Sequence, residues 1–304
     1  MGQKLFGLDN LSSETMSSIV SMPYARGSFF VKPTFFNVDH AINPHMLDES
    51  GKPNQINFDV AQKQWKALVS TYESLGLEIQ IFEPLKECPD MVFCANQSLP
   101  YLNKDGKPAA LMSNMQDDCR QEEVASIESS LKNLGFEISY LPERTKDTLL
   151  EGMGDALWVP GKKIICGGYG FRTHESIYSL VSERLDASVV TFELKNPRFY
   201  HLDTCLSILD DKHVIACKEA FQDDDWKNLC TLFENVIEVP LSEADSPYFA
   251  CNAHCPDRKH VILQEGSVKT EAGLKEYGFT PIPLNTAEFI KSGGSVFCMK
   301  QMYF

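Results

Sequence analysis

Apolar positions along this chain fall into two rhythms that take turns. Phe58, Ala61, Trp65, Leu68, Val69, Tyr72 and Leu75 recur at three- and four-residue steps. That spacing predicts an amphipathic helix, and Gly76 stops it. Residues 77–84 then alternate apolar with polar, which predicts a strand. The same couplet returns four times. Helices are expected over residues 122–134, 175–185, 224–233 and 271–277, followed by strands over 136–142, 188–194, 236–240 and 279–283.

Further apolar runs lie between these couplets. Strands are expected at 28–36, 90–95 and 109–113, and as the pairs 156–159 with 163–166 and 205–209 with 213–217. The final twelve residues open on Gly293-Gly294 and continue as an alternating run that reads as a short strand with Cys298 near its start. Two strands, a helix and a strand thus recur five times, with a period of about 45–60 residues. A repeat of that length builds a closed or solenoidal array, and the end units lack the polar outer face of a solenoid cap. The prediction is an α/β fold: a closed ring of five ββαβ units, a five-bladed propeller with helices outside and functional groups around its channel. The competing architecture, a doubly wound sheet, alternates one strand with one helix and leaves the extra strand pairs unexplained. Residues 28–304 are expected to form this single domain. The serine-rich, weakly patterned residues 1–27 are expected to be a lead-in segment or flap.

Composition narrows the partners. The chain has 304 residues, 43% of them apolar, enough for a substantial core. Its net charge of −14 repels nucleic acid and anionic membrane and attracts a small cation. Ten cysteines are scattered without regular spacing. The N-terminus has neither a signal-peptide pattern nor a myristoylation pattern, and no run of 18 apolar residues occurs. These features predict a reduced, cytoplasmic protein with free thiols.

Polar residues interrupt the apolar runs at a few places. Pro89 to Asn96 reads as a strand with an acid, Asp90, at its entry and an amide, Asn96, at its exit; Asp90 also suits a turn or cap. Glu151 and Asp155 flank Gly152 and Gly154, which would let backbone approach a ligand or simply form a turn. In Phe199 to Cys205, a strand would point His201 and Asp203 to one face, suited to acid–base work or cation binding, unless the histidine is a satisfied core residue. Arg172, after a glycine-rich run that matches no nucleotide motif, suits a carboxylate clamp or an exposed position. Cys298 is either a rigidly held nucleophile or a core cysteine. Cys251-Asn252-Ala253-His254-Cys255 has soft metal ligands without finger-like spacing, so structural zinc is a minor alternative.

Taken in order, Pro-Asp-x-Val-Phe-x-x-Asn, Glu-Gly-x-Gly-Asp-Ala-Leu, Gly-Tyr-Gly-Phe-Arg, Phe-Tyr-His-Leu-Asp-Thr-Cys and a terminal Gly-Gly-x-x-x-Cys resemble the guanidino-group modifying, or pentein, superfamily. It includes arginine deiminase, dimethylarginine dimethylaminohydrolase and glycine amidinotransferase. The likeness runs from about Val31 to Phe304 and implies a five-bladed α/β propeller. Residues 39–46, residues 249–253 and the five-residue stretch Glu151 to Asp155 most resemble the arginine dihydrolase domain of cyanobacterial arginine-catabolic enzymes. Deiminases tend to carry Asp where Asn96 stands.

The resemblance implies the following roles. Cys298 attacks the guanidinium carbon. Asp90 and Asp203 grip guanidinium nitrogens. His201, oriented by Glu151, moves protons. Arg172 binds the substrate carboxylate, and Asn43, Asn96 and Asn252 line the pocket. It implies no metal or organic cofactor, and propellers of this kind often pair as homo-oligomers. The expected substrate is a small cationic or zwitterionic amino acid. Arginine, converted to ornithine, ammonia and carbon dioxide, is preferred over dimethylarginine or citrulline. Amidino transfer and a silent binding or zinc protein are the other readings.

Overall fold

In a computed structural model of the chain, residues 10–304 and the backbone of Leu5–Phe6 are described. Residues 1–4 and 7–9, part of the expected lead-in, lie outside the described residues.

The fold is α/β, and its repeat is visible in hydrogen bonding. Ser98–Leu102 pairs antiparallel with Pro108–Met112, which pairs parallel with Glu137–Tyr140. The order recurs in Ala156–Trp158, Ile164–Tyr169 and Ser188–Glu193, and in Leu206–Ile208, His213–Ala216 and Asn235–Glu238. It recurs again in Gln301–Tyr303, Gly27–Val31 and Glu78–Phe82, a sheet that joins the two ends of the described chain. The fifth sheet keeps the parallel pair His260–Gln264 and Thr280–Leu284. Its first strand is reduced to one antiparallel bridge, His254 to Ile262. The backbone of Leu5–Phe6 adds to the edge strand Ser188–Glu193.

A helix joins the parallel strands of every unit, as a parallel crossover requires: Phe58–Ser74, Asp118–Asn133, Ile177–Leu185, Asp223–Leu232 and Val268–Glu276. The first buries Ala61, Trp65, Leu68, Val69 and Tyr72 on one stripe, the period read from sequence. Gly76, Gly135 and Gly278 follow three of these helices with φ of 80°, 84° and 84°, the left-handed stop that lets the chain turn into its strand. The inner strand Gly27–Val31 is buried throughout, while the parallel strand Glu78–Phe82 stays partly exposed.

Three stretches read as strands are turns. Pro89–Val92 is a short 3-10 helix. His201 precedes the 3-10 turn Leu202–Thr204, so His201 and Asp203 do not share the face of a strand. Cys298 lies on a turn before the strand Gln301–Tyr303. The first inner strand also ends at Val31 rather than Phe36. The cause is common to the first three. Each run is buried on every side, so it shows no period that separates strand from turn.

Candidate active site

Cys298 is 2% exposed and sits in a built environment. Its Sγ donates to Asp203 Oδ2 at 3.1 Å and accepts from Asn252 Nδ2 at 3.1 Å. Asn252 Oδ1 accepts the backbone N–H groups of Ser295, Phe297 and Cys298 at 3.0, 3.1 and 3.2 Å. One amide side chain therefore holds the whole turn that carries the thiol. Burial and the neighbouring Asp203 charge push that thiol well above its ordinary range. Burial also pushes Asp203 up to about 7, against the hydrogen bond from Cys298.

A second cluster lies beside it. His201 Nε2 is 2.7 Å from Glu151 Oε2. Burial alone would raise Glu151, but the Arg172 charge and the His201 hydrogen bond outweigh it and hold the carboxyl well below its usual range. An ionised carboxylate only accepts, so Nε2 carries the proton and Nδ1 is the free imidazole nitrogen. Gly154 makes room for this packing. A Cβ there would lie 3.2 Å from the imidazole and 2.2 Å from Asn96 Nδ2. The ring of Tyr200 packs on His201 at 4.8 Å, and its hydroxyl donates to Gly293 O at 2.6 Å.

A pocket reaches Cys298, lined among others by Asn43, Asp90, Asn96, Arg120, Arg172 and Tyr200. Ile42 and Met46, from the loop after the first inner strand, also line it. Asn43 holds that loop by donating to Ser292 O at 3.0 Å. Arg172 donates to Ile42 O at 2.6 Å, pairs with Asp117 at 2.8 Å and lies over the Tyr200 ring. Asp90 accepts from Ser292 Oγ at 3.1 Å, and burial raises its carboxyl against the Arg120 charge. Glu151, His201, Asp203 and Asn252 do not line the pocket; they stand behind its wall, 0–1% exposed.

The structure thus brings all nine sequence-predicted residues into one region, with Asp203 and Asn252 at the thiol and Glu151 and Arg172 around His201. It adds two groups that the sequence reading missed. Arg120, 5% exposed, donates to Asn96 Oδ1 at 3.0 Å and to the carbonyls of Asp90 and Phe93 at 3.3 and 3.1 Å. It pairs with Glu123 at 2.9 Å. In sequence it stands among five acidic or amide neighbours at 117–123 and resembles a solvated ion pair. Lys300, two residues past the thiol, is fully buried. It sat in a run read as strand, with no pattern to mark it.

Comparison with known proteins places this geometry in context. The sequence model described as N,N dimethylarginine dimethylhydrolase, eukaryotic, matches residues 32–304. The chain is 35% identical to an N(G),N(G)-dimethylarginine dimethylaminohydrolase of Mycobacterium tuberculosis, covering 91% of this chain and 85% of the relative. It is 31% identical to the bifunctional arginine dihydrolase/ornithine cyclodeaminase ArgZ of Synechocystis, covering 88% of this chain but only 36% of that longer protein. The solved N-terminal domain of ArgZ, bound to product, matches with a TM-score of 0.82 and 30% identity over 90% of this chain and 96% of that one. A variant of the same domain, covalently bonded to a reaction intermediate, matches equally well in fold, with a TM-score of 0.82 and 29% identity over 90% of this chain and 96% of that one.

Proposed function

This chain belongs to the dimethylarginine dimethylhydrolase family, and from that premise we propose that it is a cysteine hydrolase of arginine, releasing ornithine, carbon dioxide and two ammonia. The observation that carries the reading is the thiol of Cys298, held between Asp203 and Asn252 at the end of a pocket lined by Asp90, Asn96, Arg120 and Arg172. Carboxylates and an amide around a thiol suit a planar cation with many N–H donors.

The chemistry follows from the geometry. The guanidinium enters beside Asp90 and Cys298, and its charge offsets theirs and that of Asp203 behind the wall, so the Cys298 proton leaves more easily once substrate is bound. Sγ attacks the guanidinium carbon as its proton passes to His201 Nδ1, and an S–C bond forms. A terminal C–N bond breaks, and ammonia departs with a proton delivered by His201 Nδ1. Water then attacks the same carbon, deprotonated by His201. A second ammonia leaves, giving a thiocarbamate on Cys298. A second water cleaves the S–C bond, and the freed carbamate of ornithine loses carbon dioxide. Asn96, whose Nδ2 has no partner among the described residues, holds water near that carbon. Arg120 and Arg172 take the substrate carboxylate. The covalent step is supported by the ArgZ domain bonded to a reaction intermediate.

The five repeated sheets close into a five-bladed ring around this site. The sheet shared by Gln301–Tyr303 and Gly27–Val31 supports the closure. Residues 28–304 form the catalytic domain, with 1–27 as its lead-in.

Dimethylarginine is the second reading, favoured by the 35% identity to the mycobacterial enzyme. Acceptors near the thiol argue for the unmethylated guanidinium, because two methyl groups would leave them unpaired. Product analysis separates the two. The purified protein is incubated with arginine, dimethylarginine or citrulline. Ornithine with two ammonia per arginine is the expected result. Dimethylamine from dimethylarginine, with no ornithine from arginine, would overturn the arginine assignment.

A further inference from the structure

Lys300 is an amine with nowhere ordinary to be. It is 0% exposed, and its Nζ has no hydrogen-bond partner among the described residues. The Nζ lies over the Phe297 ring, 3.3 Å from its centroid, the one-sided seat of a cation on a π face. A buried lysine without a partner is an uncompensated charge that opposes folding. A methionine would fill the same space without that cost, so the charge needs a reason.

A second unpaired buried charge belongs to the same turn: Lys300 sits on Phe297, the Phe297 N–H donates to Asn252 Oδ1 at 3.1 Å, and Asn252 Nδ2 donates to Asp203 O at 2.9 Å. Asp203 is likewise 0% exposed. Its Oδ2 accepts from Cys298, while Oδ1 is buried with no partner. No ion pair joins Lys300 to Asp203, yet each acts on the other's titration through the low-dielectric core. The titratable groups whose charges act on Lys300 are Asp203, Cys94 and Cys298, and Lys300 in turn acts on His254. Asp203 is the only carboxylate among these. Cys94 is pushed up to about 12 by burial, and His254 is held neutral by burial, its Nδ1 bonded to the Tyr72 hydroxyl at 2.7 Å.

We propose that Lys300 is a positioning residue that acts through Asp203: its ammonium, seated on Phe297 behind the Cys298 turn, keeps the Asp203 carboxylate charged in the empty site so that a guanidinium can bind. The inference rests on the hydrolase reading for its purpose but not for its physics. Burial lowers Lys300 to about 7 and raises Asp203 to about 7. Each charge offsets the other's burial, so the two are expected to ionise together. Neither touches solvent, and Asp203 needs its charge when substrate arrives.

The test is a titration of the substrate-free protein carrying ¹³Cγ-labelled aspartate, with the Asp203 signal identified by its loss in D203N. In K300M, which keeps the stem and removes the charge, the Asp203 midpoint should rise by about one pH unit or more. Linkage is reciprocal. In D203N, the ¹³Cε signal of the lysine that titrates near neutrality should therefore move down by a similar amount. A midpoint shift below about 0.3 unit in either experiment would overturn the proposal, since a purely structural lysine would move neither. If K300M does not fold, the D203N arm decides alone. Kinetics adds a separate readout: at pH 7, K300M should raise KM for arginine several-fold, with kcat changed less. If the wild-type protein turns over no guanidino compound, the hydrolase reading falls while the two titrations still decide the role of Lys300.

Discussion

The Sγ of Cys298 lies 3.1 Å from Oδ2 of Asp203, a thiol set against a carboxylate in the dry interior. Such a contact opposes the thiolate in the empty site, and a cation bound beside the pair offsets that opposition. The arrangement makes the nucleophile depend on its own substrate. D203N should therefore free the thiol. In the substrate-free protein, alkylation of Cys298 by iodoacetamide, mapped by peptide mass, should reach half its maximal rate at a pH about one unit lower or more. Arginine kcat/KM should fall at least about hundredfold in the same variant.

Asp203 also sets an acid limb. Burial pushes it up to about 7, so its charge is lost as pH falls through that value. Initial rates between pH 5 and 9 should show kcat/KM for arginine falling about tenfold per unit below 7. Stability runs the other way. A carboxyl raised in the fold contributes most below its unfolded value near 4 and loses that contribution as pH rises through 7. The Tm difference between D203N and the wild-type protein should thus shift in favour of D203N from pH 5 to pH 8. A rate flat down to pH 5 would contradict both expectations.

Glu151 has the opposite sign. Arg172 and His201 hold its carboxyl low against burial. Its contribution to stability is present above an unfolded value near 4 and is lost as pH falls below it. E151Q should lower kcat about 10²–10³-fold by releasing His201. It should also lower Tm at pH 7, and the deficit should shrink toward pH 3 in thermal melts.

Asn252 separates structure from electrostatics. N252A strips the acceptor from three backbone N–H groups of the thiol turn and should cost about 2–4 kcal/mol in denaturant unfolding. N252D keeps that acceptor. It replaces the donor to Sγ with a charge, so it should raise the alkylation midpoint of Cys298 at a smaller cost in stability.

The fold was legible where amphipathic helices are long. Phe58–Ser74 carries its stripe over four turns, and Gly76 marks its end in sequence. The site was legible as residue types in order, since Asp90, His201, Asp203 and Cys298 stand out among apolar neighbours. Their backbone was not. Each sits on a turn buried on all sides, where neither a two-residue nor a three-to-four-residue period survives. Arg120 and Lys300 escaped notice for another reason. A cation among acids at 117–123 reads as solvated, and a lysine in a terminal run reads as exposed. Only packing reveals that both are buried, Arg120 bonded to Asn96 and the Asp90 carbonyl and Lys300 seated on Phe297.

The central claim is that Cys298 forms a bond to the guanidinium carbon, and trapping that bond tests it most directly. The protein is mixed with arginine, quenched in acid within the first turnovers, digested and mapped by mass spectrometry. The account predicts a substrate-derived adduct on the peptide that contains Cys298, absent in C298A, which should also lack turnover. Undiminished turnover in C298A, with no adduct on the wild-type peptide, would contradict it.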